Sequence, residues 1–271
     1  MPNIIKIKNL SFGYDDKQIF NKFNLEIEAG DWVSIIGPNS SGKSTLVRLL
    51  VGLACSNKAI TVDTLMVNQE KIVEVRKRIG VIFDDLTNQF ISDTVRDDIA
   101  FGLENLNYDI AEIHTRIMRI ARELKIEHLL DADPQRLSGG EKQKVALAAI
   151  LVMQPKIIIL DEALAMLDTK EQREILNILK VLHEKRKLTV INITHNLEET
   201  LYGNRIIVLN KGKTVMEGKT LDVLKEERIL TKLGLELPFM VDLSLKLNFY
   251  NLLDDIILDM DELITKLWPS K

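Results

Sequence analysis

The chain has 271 residues, 46% hydrophobic and 28% charged, which suits one large α/β domain with a small appendage and an ordinary soluble balance. A net charge of −4 argues against a nucleic-acid binder, and one cysteine, Cys55, excludes an internal disulfide framework and fits a reducing compartment. The longest apolar run, Val145 to Met153, has nine residues, well short of the ~18 a membrane span needs, so any membrane role requires a partner.

In chain order, Met1-Pro2-Asn3 leads into a strand-like pattern rather than a signal peptide. Ile4 to Phe12 alternates, with Tyr14 just beyond it, and Phe23, Leu25 and Ile27 alternate before an Ala29-Gly30-Asp31 turn. These predict a small antiparallel sheet. Trp32 to Ile36 reads as a buried strand, followed by a helix from about Lys43 with Leu46, Leu49, Leu50 and Leu53 at helical spacing. Cys55 reads as a small apolar residue near that helix end. A strand over Ala59 to Val67, a helix over Glu70 to Arg78 and a strand over Ile79 to Phe83 follow, then a polar loop from Asp84 to Thr94. Helices are predicted from Val95 to Leu103 and from Ile110 to Leu124, the latter with Ile113, Ile117, Ile120 and Leu124 on one face. After Pro134 a long helix runs to Met153, then a strand Ile157 to Leu160, a helix from about Lys170 to Lys185, and a buried strand Thr189 to Thr194. Ile206 to Leu209 and Thr214 to Glu217 form a hairpin. At Arg228 the texture changes. Phe239, Leu243 and Leu247 fit a helix face, while Leu243, Leu245 and Leu247 also alternate, and Asp261 to Trp268 reads as a short terminal helix. Strands alternating with helices predict a mostly parallel sheet with the ligand at the strands' C-terminal ends.

The motifs lie at those ends. Gly37-Pro38-Asn39-Ser40-Ser41-Gly42-Lys43-Ser44-Thr45 fits the phosphate-binding P-loop. Its glycines let backbone N–H groups turn toward a phosphate, and the helix beyond adds its positive end. Lys43 supplies charge to the β- and γ-phosphates, and the Ser44 hydroxyl can ligate Mg²⁺. Asp161, ending an apolar strand, is a second Mg²⁺ ligand candidate, and Glu162 can polarise an attacking water, although an Asp-Glu pair can also simply cap a helix. Ser138-Gly139-Gly140-Glu141 opens a helix and offers either a plain N-cap or a second anion site. His195 at a strand end can reach a γ-phosphate, and Tyr14 can stack on adenine or merely pack at the surface.

Together these motifs resemble the ATP-binding cassette (ABC) ATPases over about residues 4 to 227: an aromatic A-loop at Tyr14, Walker A at Gly37 to Thr45, a signature at Leu137 to Glu141, Walker B at Ile157 to Glu162, a D-loop at Ala165 to Asp168, and an H-loop at His195. Asn88-Gln89-Phe90, the run Thr94 to Asn105, and the tail Gly234-Leu235-Glu236-Leu237-Pro238-Phe239 look like the ATPases of energy-coupling factor (ECF) importers. The closing Glu262 to Trp268 is similar to the first of their two ATPase subunits. The resemblance implies an α/β P-loop fold with an antiparallel β subdomain and a helical signature subdomain over residues 1–227, and a small C-terminal domain over 228–271 that joins ATPase to ATPase. It also implies ATP and Mg²⁺ as cofactors, and a head-to-tail pair, here a heterodimer, in which one P-loop closes on the partner's Ser138 to Glu141 with Asp168 between. Further implied partners are a transmembrane coupling protein and a membrane-embedded subunit that captures vitamins or metal ions, with this chain peripheral on the cytoplasmic face and no nucleic acid involved.

Two stretches depart from the family pattern. A Gln usually follows the strand ending at Phe83, where this chain has Asp84 and Asp85; Asp84 can still ligate Mg²⁺ but adds negative charge beside a triphosphate. In the D-loop Ala165 stands where Ser is common, and Leu164 replaces a small polar residue. The expected function is ATP hydrolysis driving ECF-type import. The alternatives are another ABC importer, a non-hydrolysing cassette, and a soluble ABC ATPase on nucleic acid.

Overall fold

The computed structural model describes residues 2–15, 17–55, 59–84 and 89–268. Two twelve-residue alternating segments, β1 (Asn3–Tyr14) and β2 (Lys17–Glu28), pair antiparallel and bury Ile5, Ile7, Phe20 and Ile27 on one face. β3 (Trp32–Ile36) is buried throughout and leads into the P-loop and α1 (Lys43–Leu50). Leu46, Leu49 and Leu50 are buried, but α1 stops before Leu53, which is 60% exposed. The helical spacing therefore overran the helix by one turn; Gly52, at φ 66, ends it in the left-handed region open to glycine.

The strand expected over Ala59 to Val67 is two, β4 (Ile60–Val62) and β5 (Leu65–Met66), folded about Asp63 and Thr64, both at positive φ. The helix expected over Glu70 to Arg78 shrinks to α2 (Ile72–Arg76) before β6 (Ile79–Phe83). Asp85 and Asn88 of the predicted loop lie outside the described residues. α3 (Val95–Asn105) begins at Thr94, whose hydroxyl accepts the Asp97 amide hydrogen. α4 (Ile110–Leu124) buries the predicted stripe, and α5 (Gly139–Leu151) follows Ser138. β7 (Ile157–Asp161), α6 (Thr169–Arg186), β8 (Thr189–Ile193), and the hairpin of β9 (Arg205–Asn210) and β10 (Lys213–Lys219) complete the cassette. α7 (Thr220–Leu224), α8 (Glu227–Lys232), α9 (Phe239–Phe249) and α10 (Met260–Leu267) close the chain. α9 resolves the choice between helix and alternation: Leu243 and Leu247 pack inward, whereas Phe239 is 61% exposed.

Among the described residues the strands form two sheets. One is antiparallel in the order β2-β1-β4-β5; the other is mostly parallel in the order β10-β9-β3-β8-β7-β6. β7 and β8 are buried throughout, as expected of central parallel strands covered on both faces. One apolar core lies between the sheets around α1, and a second gathers α3 to α6. A third joins Ile36 and Val208 to Leu230, Leu235 and Val241, so the C-terminal helices pack directly behind the P-loop strand.

Candidate functional site

Register assembles the site. Phe83 pairs with Asp161, Asp161 with Ile193, and Ile193 with Ile35, one row across β6, β7, β8 and β3. Asp84, Glu162 and Thr194 therefore follow side by side, next to the P-loop. This is the strand-end convergence expected of the fold.

The P-loop conformation depends on its glycines. Gly37 sits at φ 153, and a Cβ there would stand 2.0 Å from the Leu209 carbonyl oxygen; Gly42 sits at φ 111 against the Phe20 ring. The Gly212 amide in the β9–β10 turn donates to the Ser41 carbonyl at 2.9 Å, bracing the loop from behind. Pro38, Asn39, Ser40 and Thr45 complete it, with Ser40 at φ 62. The Lys43 ammonium is buried and donates to the Gly37 carbonyl at 2.8 Å and the Pro38 carbonyl at 3.2 Å, with Glu162 Oε1 3.7 Å away. Burial holds its pKa below the usual lysine value, partly countered by Glu162 and Asp161. An ammonium lodged among carbonyls can turn to phosphate oxygens within its own reach.

Ser44 Oγ donates to Asp161 Oδ1 at 3.3 Å. Burial pushes the Asp161 carboxyl up to about 6, and the charges of Glu162 and Asp84 add to the rise. A crowded set of carboxylates beside a hydroxyl favours a hard divalent cation, so Ser44, Asp161 and Asp84 fit Mg²⁺. Among the described residues no group of three or more His, Cys, Asp or Glu side chains forms a metal cage.

Glu162 adopts φ 53, in the left-handed region that costs a non-glycine residue ~1–3 kcal/mol. Its amide donates to the Ile193 carbonyl at 2.9 Å, and its carboxylate stands 3.5 Å from His195 Nδ1. This turn, which no sequence pattern signals, aims the carboxylate back over the P-loop. Asp168 Oδ1 accepts the Glu171 amide hydrogen at 2.8 Å and caps α6. Ser138 and Glu141 form a reciprocal capping box: Ser138 Oγ accepts the Glu141 amide hydrogen at 3.3 Å and Glu141 Oε2 accepts the Ser138 amide hydrogen at 2.9 Å. The bland N-cap reading thus holds, yet Ser138 and Gly139 remain exposed, and Gly139 and Gly140 face Leu167 and Glu171 rather than the P-loop. Tyr14 is 40% exposed and meets Phe12 edge-on at 5.0 Å, leaving ring surface open. Cys55 is exposed.

Gln172 was not anticipated. Its amide donates to the Leu164 and Leu167 carbonyls at 3.0 and 3.1 Å and its oxygen accepts from Asn196 at 3.4 Å, tying the segment before Asp168 to the turn after His195. A lone Gln inside a helix carries no signal of this; tertiary contact alone shows it.

A family profile described as ABC transporter matches residues 20–165, more than half of the chain. This chain is an ABC ATPase. The energy-coupling factor transporter ATP-binding protein EcfA of Pediococcus pentosaceus is 42% identical over 243 residues, covering 88% of this chain and 87% of that one. The structure of cbiO1 from Clostridium perfringens, part of the ABC transporter complex cbiONQ, has a TM-score of 0.78 and 32% identity, covering 89% of this chain and 98% of that one. The dimeric ATP-binding cassette MJ0796, bound to ADP and phosphate, has a TM-score of 0.71 and 28% identity, covering 80% of this chain and 98% of that one. The ABC ATPase described here therefore falls among the ATPase subunits of ECF-type transporters, and its ATP hydrolysis is coupled to transport.

Proposed function

We propose that this ATPase energises the import of vitamins or other micronutrients as one of two unlike ATPases bound to a transmembrane coupling protein and a membrane-embedded substrate-binding subunit. The observation that carries this reading is the row at the sheet end. P-loop, Ser44–Asp161 and Glu162–His195 converge there, while Ser138 and Gly139 of the signature lie exposed, facing away from the P-loop and open to a partner.

In this reading ATP lies along Gly37 to Thr45 with its base near Tyr14. Ser44, Asp161 and Asp84 would hold Mg²⁺, which would supply charge neutralisation for the triphosphate. Lys43 turns from the Gly37 carbonyl to the phosphates. Glu162 orients a water; its oxygen bonds to the γ-phosphorus, the bond to the β-phosphate oxygen breaks, and the water's proton moves toward Glu162. His195 holds the γ-phosphate. The partner's copy of the signature and D-loop closes the site, with Asp168 at the junction. The dimeric state of MJ0796 supports such pairing.

Membrane attachment is peripheral and cytoplasmic in this reading: among the described residues no helix is long and apolar enough to cross a bilayer. A groove lined by Val81, Phe90, Ile91, Phe101, Ala149 and Met153, with Ile91 and Phe101 exposed, offers the coupling protein a surface. Net acidity supports a protein rather than a nucleic-acid partner. Residues 228–271 supply the ATPase-to-ATPase contacts.

The test is Glu162→Gln in the assembly copurified from membranes. Turnover is expected to fall by roughly 100-fold or more with ATP binding retained. Normal turnover in that variant defeats the role of Glu162, and copurification without membrane proteins defeats the importer.

A further inference from the structure

The His195 ring is 58% exposed, so packing does not fix its direction. Its aim depends on the backbone turn Thr194-His195-Asn196. Thr194 Oγ1 accepts the Asn196 amide hydrogen at 3.0 Å, a local side-chain turn around His195. The same hydroxyl donates to the Asn196 carbonyl at 3.5 Å and stands beside a buried carboxyl, Glu199, which is 4% exposed in the 3-10 segment Leu197–Tyr202 and whose own amide donates to that Asn196 carbonyl at 3.2 Å. Glu199 Oε2 in turn accepts from Asn192 Nδ2 at 2.9 Å. Asn192 lies in β8, in register with Ser34 of β3 and Leu160 of β7, the strands that lead to the P-loop and to Asp161. A chain of contacts thus runs from the middle of the sheet through Asn192 and Glu199 to the turn Thr194-His195-Asn196. Burial pushes the Glu199 carboxyl up, and Asn192 Oδ1 is buried with no partner among the described residues, so a protonated Glu199 can donate to it and close a two-bond acid–amide ring.

We propose that Glu199 is a positioning residue for the hydrolytic reaction, a buried post on Asn192 that sets the Thr194 turn and thereby the placement of His195 against the γ-phosphate. The proposal rests on the reading of His195 as a phosphate contact. A carboxyl buried only to satisfy Asn192 has no need to stand beside the Thr194 hydroxyl, whereas a post for the turn requires both contacts. An amide at position 199 can make the same pair with Asn192 and still stand beside Thr194, so Gln is the conservative replacement.

ATP hydrolysis by the copurified assembly is measured for His195→Ala, Thr194→Val, Glu199→Ala, Glu199→Gln and the double variant His195→Ala/Glu199→Ala. Thr194→Val and Glu199→Ala are each expected to lower kcat roughly 10- to 100-fold with KM for ATP held within about twofold, because a displaced contact costs the transition state more than the ground state. Glu199→Gln keeps at least about half of the turnover, and Glu199→Ala adds nothing in the His195→Ala background. In ¹⁵N-histidine spectra of the full chain, Thr194→Val and Glu199→Ala move the ring signal that disappears in His195→Ala and leave those of His114, His128 and His183 in place. Should Glu199→Ala fail to fold, Thr194→Val, which keeps the shape of the side chain, carries both measurements. Additive losses in the double variant, KM rising with the fall in kcat, Glu199→Gln as impaired as Glu199→Ala, or an unmoved His195 signal each overturn the proposal. Full turnover in His195→Ala defeats the role of His195 and this inference with it. An inactive His195→Ala beside fully active Thr194→Val and Glu199→Ala defeats the inference alone.

Discussion

Asp161 is where the electrostatics of the site concentrate. Its carboxyl rises from the ordinary 3.8 to about 6, first through burial and then through the neighbouring charges of Glu162 and Asp84. A raised acid favours the protonated folded form. Its contribution is therefore fully present below about pH 4 and is lost as pH climbs through about 6. The rise corresponds to roughly 3 kcal/mol at most. In nucleotide-free protein, Asp161→Asn should flatten the decline in stability between about pH 4 and pH 7 by up to that amount, read by urea unfolding across the range. Asp84→Gln should shrink the same decline in part, since it removes one of the two charges that add to burial. Parallel profiles for wild type and Asp161→Asn would show that Asp161 is not the strained group. The Asp84 departure was visible in the sequence, but its effect on Asp161 follows from the pairing of Phe83 with Asp161 across β6 and β7.

At the scale of elements, α5 combines two roles at one end. The capping box of Ser138 and Glu141 satisfies amides at the helix start, and the exposed Ser138-Gly139 face is the part that the proposed pairing offers to a second chain. Ser138→Ala should cost about 1 kcal/mol of stability in the isolated chain, and Glu141→Ala a similar amount, both measurable by thermal unfolding. In the copurified assembly Ser138→Ala should lose turnover at least about tenfold more than Glu141→Ala, because in the proposed pairing only the hydroxyl meets the partner's nucleotide. Equal losses would assign the effect to the cap. The helix positions were legible because amphipathic spacing and caps are local: Ile110 to Leu124 was bounded correctly from the spacing of Ile113, Ile117, Ile120 and Leu124. The division of Ala59 to Val67 into two strands was not, since Asp63 and Thr64 take positive φ without a glycine to announce it.

At the scale of the molecule, the C-terminal helices share a core with Ile36 and Val208 while presenting Phe249, Tyr250, Leu252 and Trp268 to solvent, each at least 60% exposed. Large apolar side chains grouped in one unit are the composition of an interface. Phe249→Ala combined with Tyr250→Ala should leave the unfolding temperature of the isolated chain within about 2 °C but weaken retention of the second ATPase during copurification. Unchanged retention would place the ATPase contacts elsewhere.

By itself the sequence determined the phosphate loop, the acidic strand end, the signature and the alternation that demands a parallel sheet. Each of these is a local pattern set by backbone conformation, hydrogen-bonding chemistry or burial period. The tertiary structure alone decided which side chains meet. It brought Asp84 to Asp161, turned Glu162 back through a left-handed backbone toward His195, and placed Gln172 and Glu199 behind the turns they hold. Those contacts depend on strand order and register between segments as distant in the chain as Ile35 and Ile193, and a single chain carries no local mark of them.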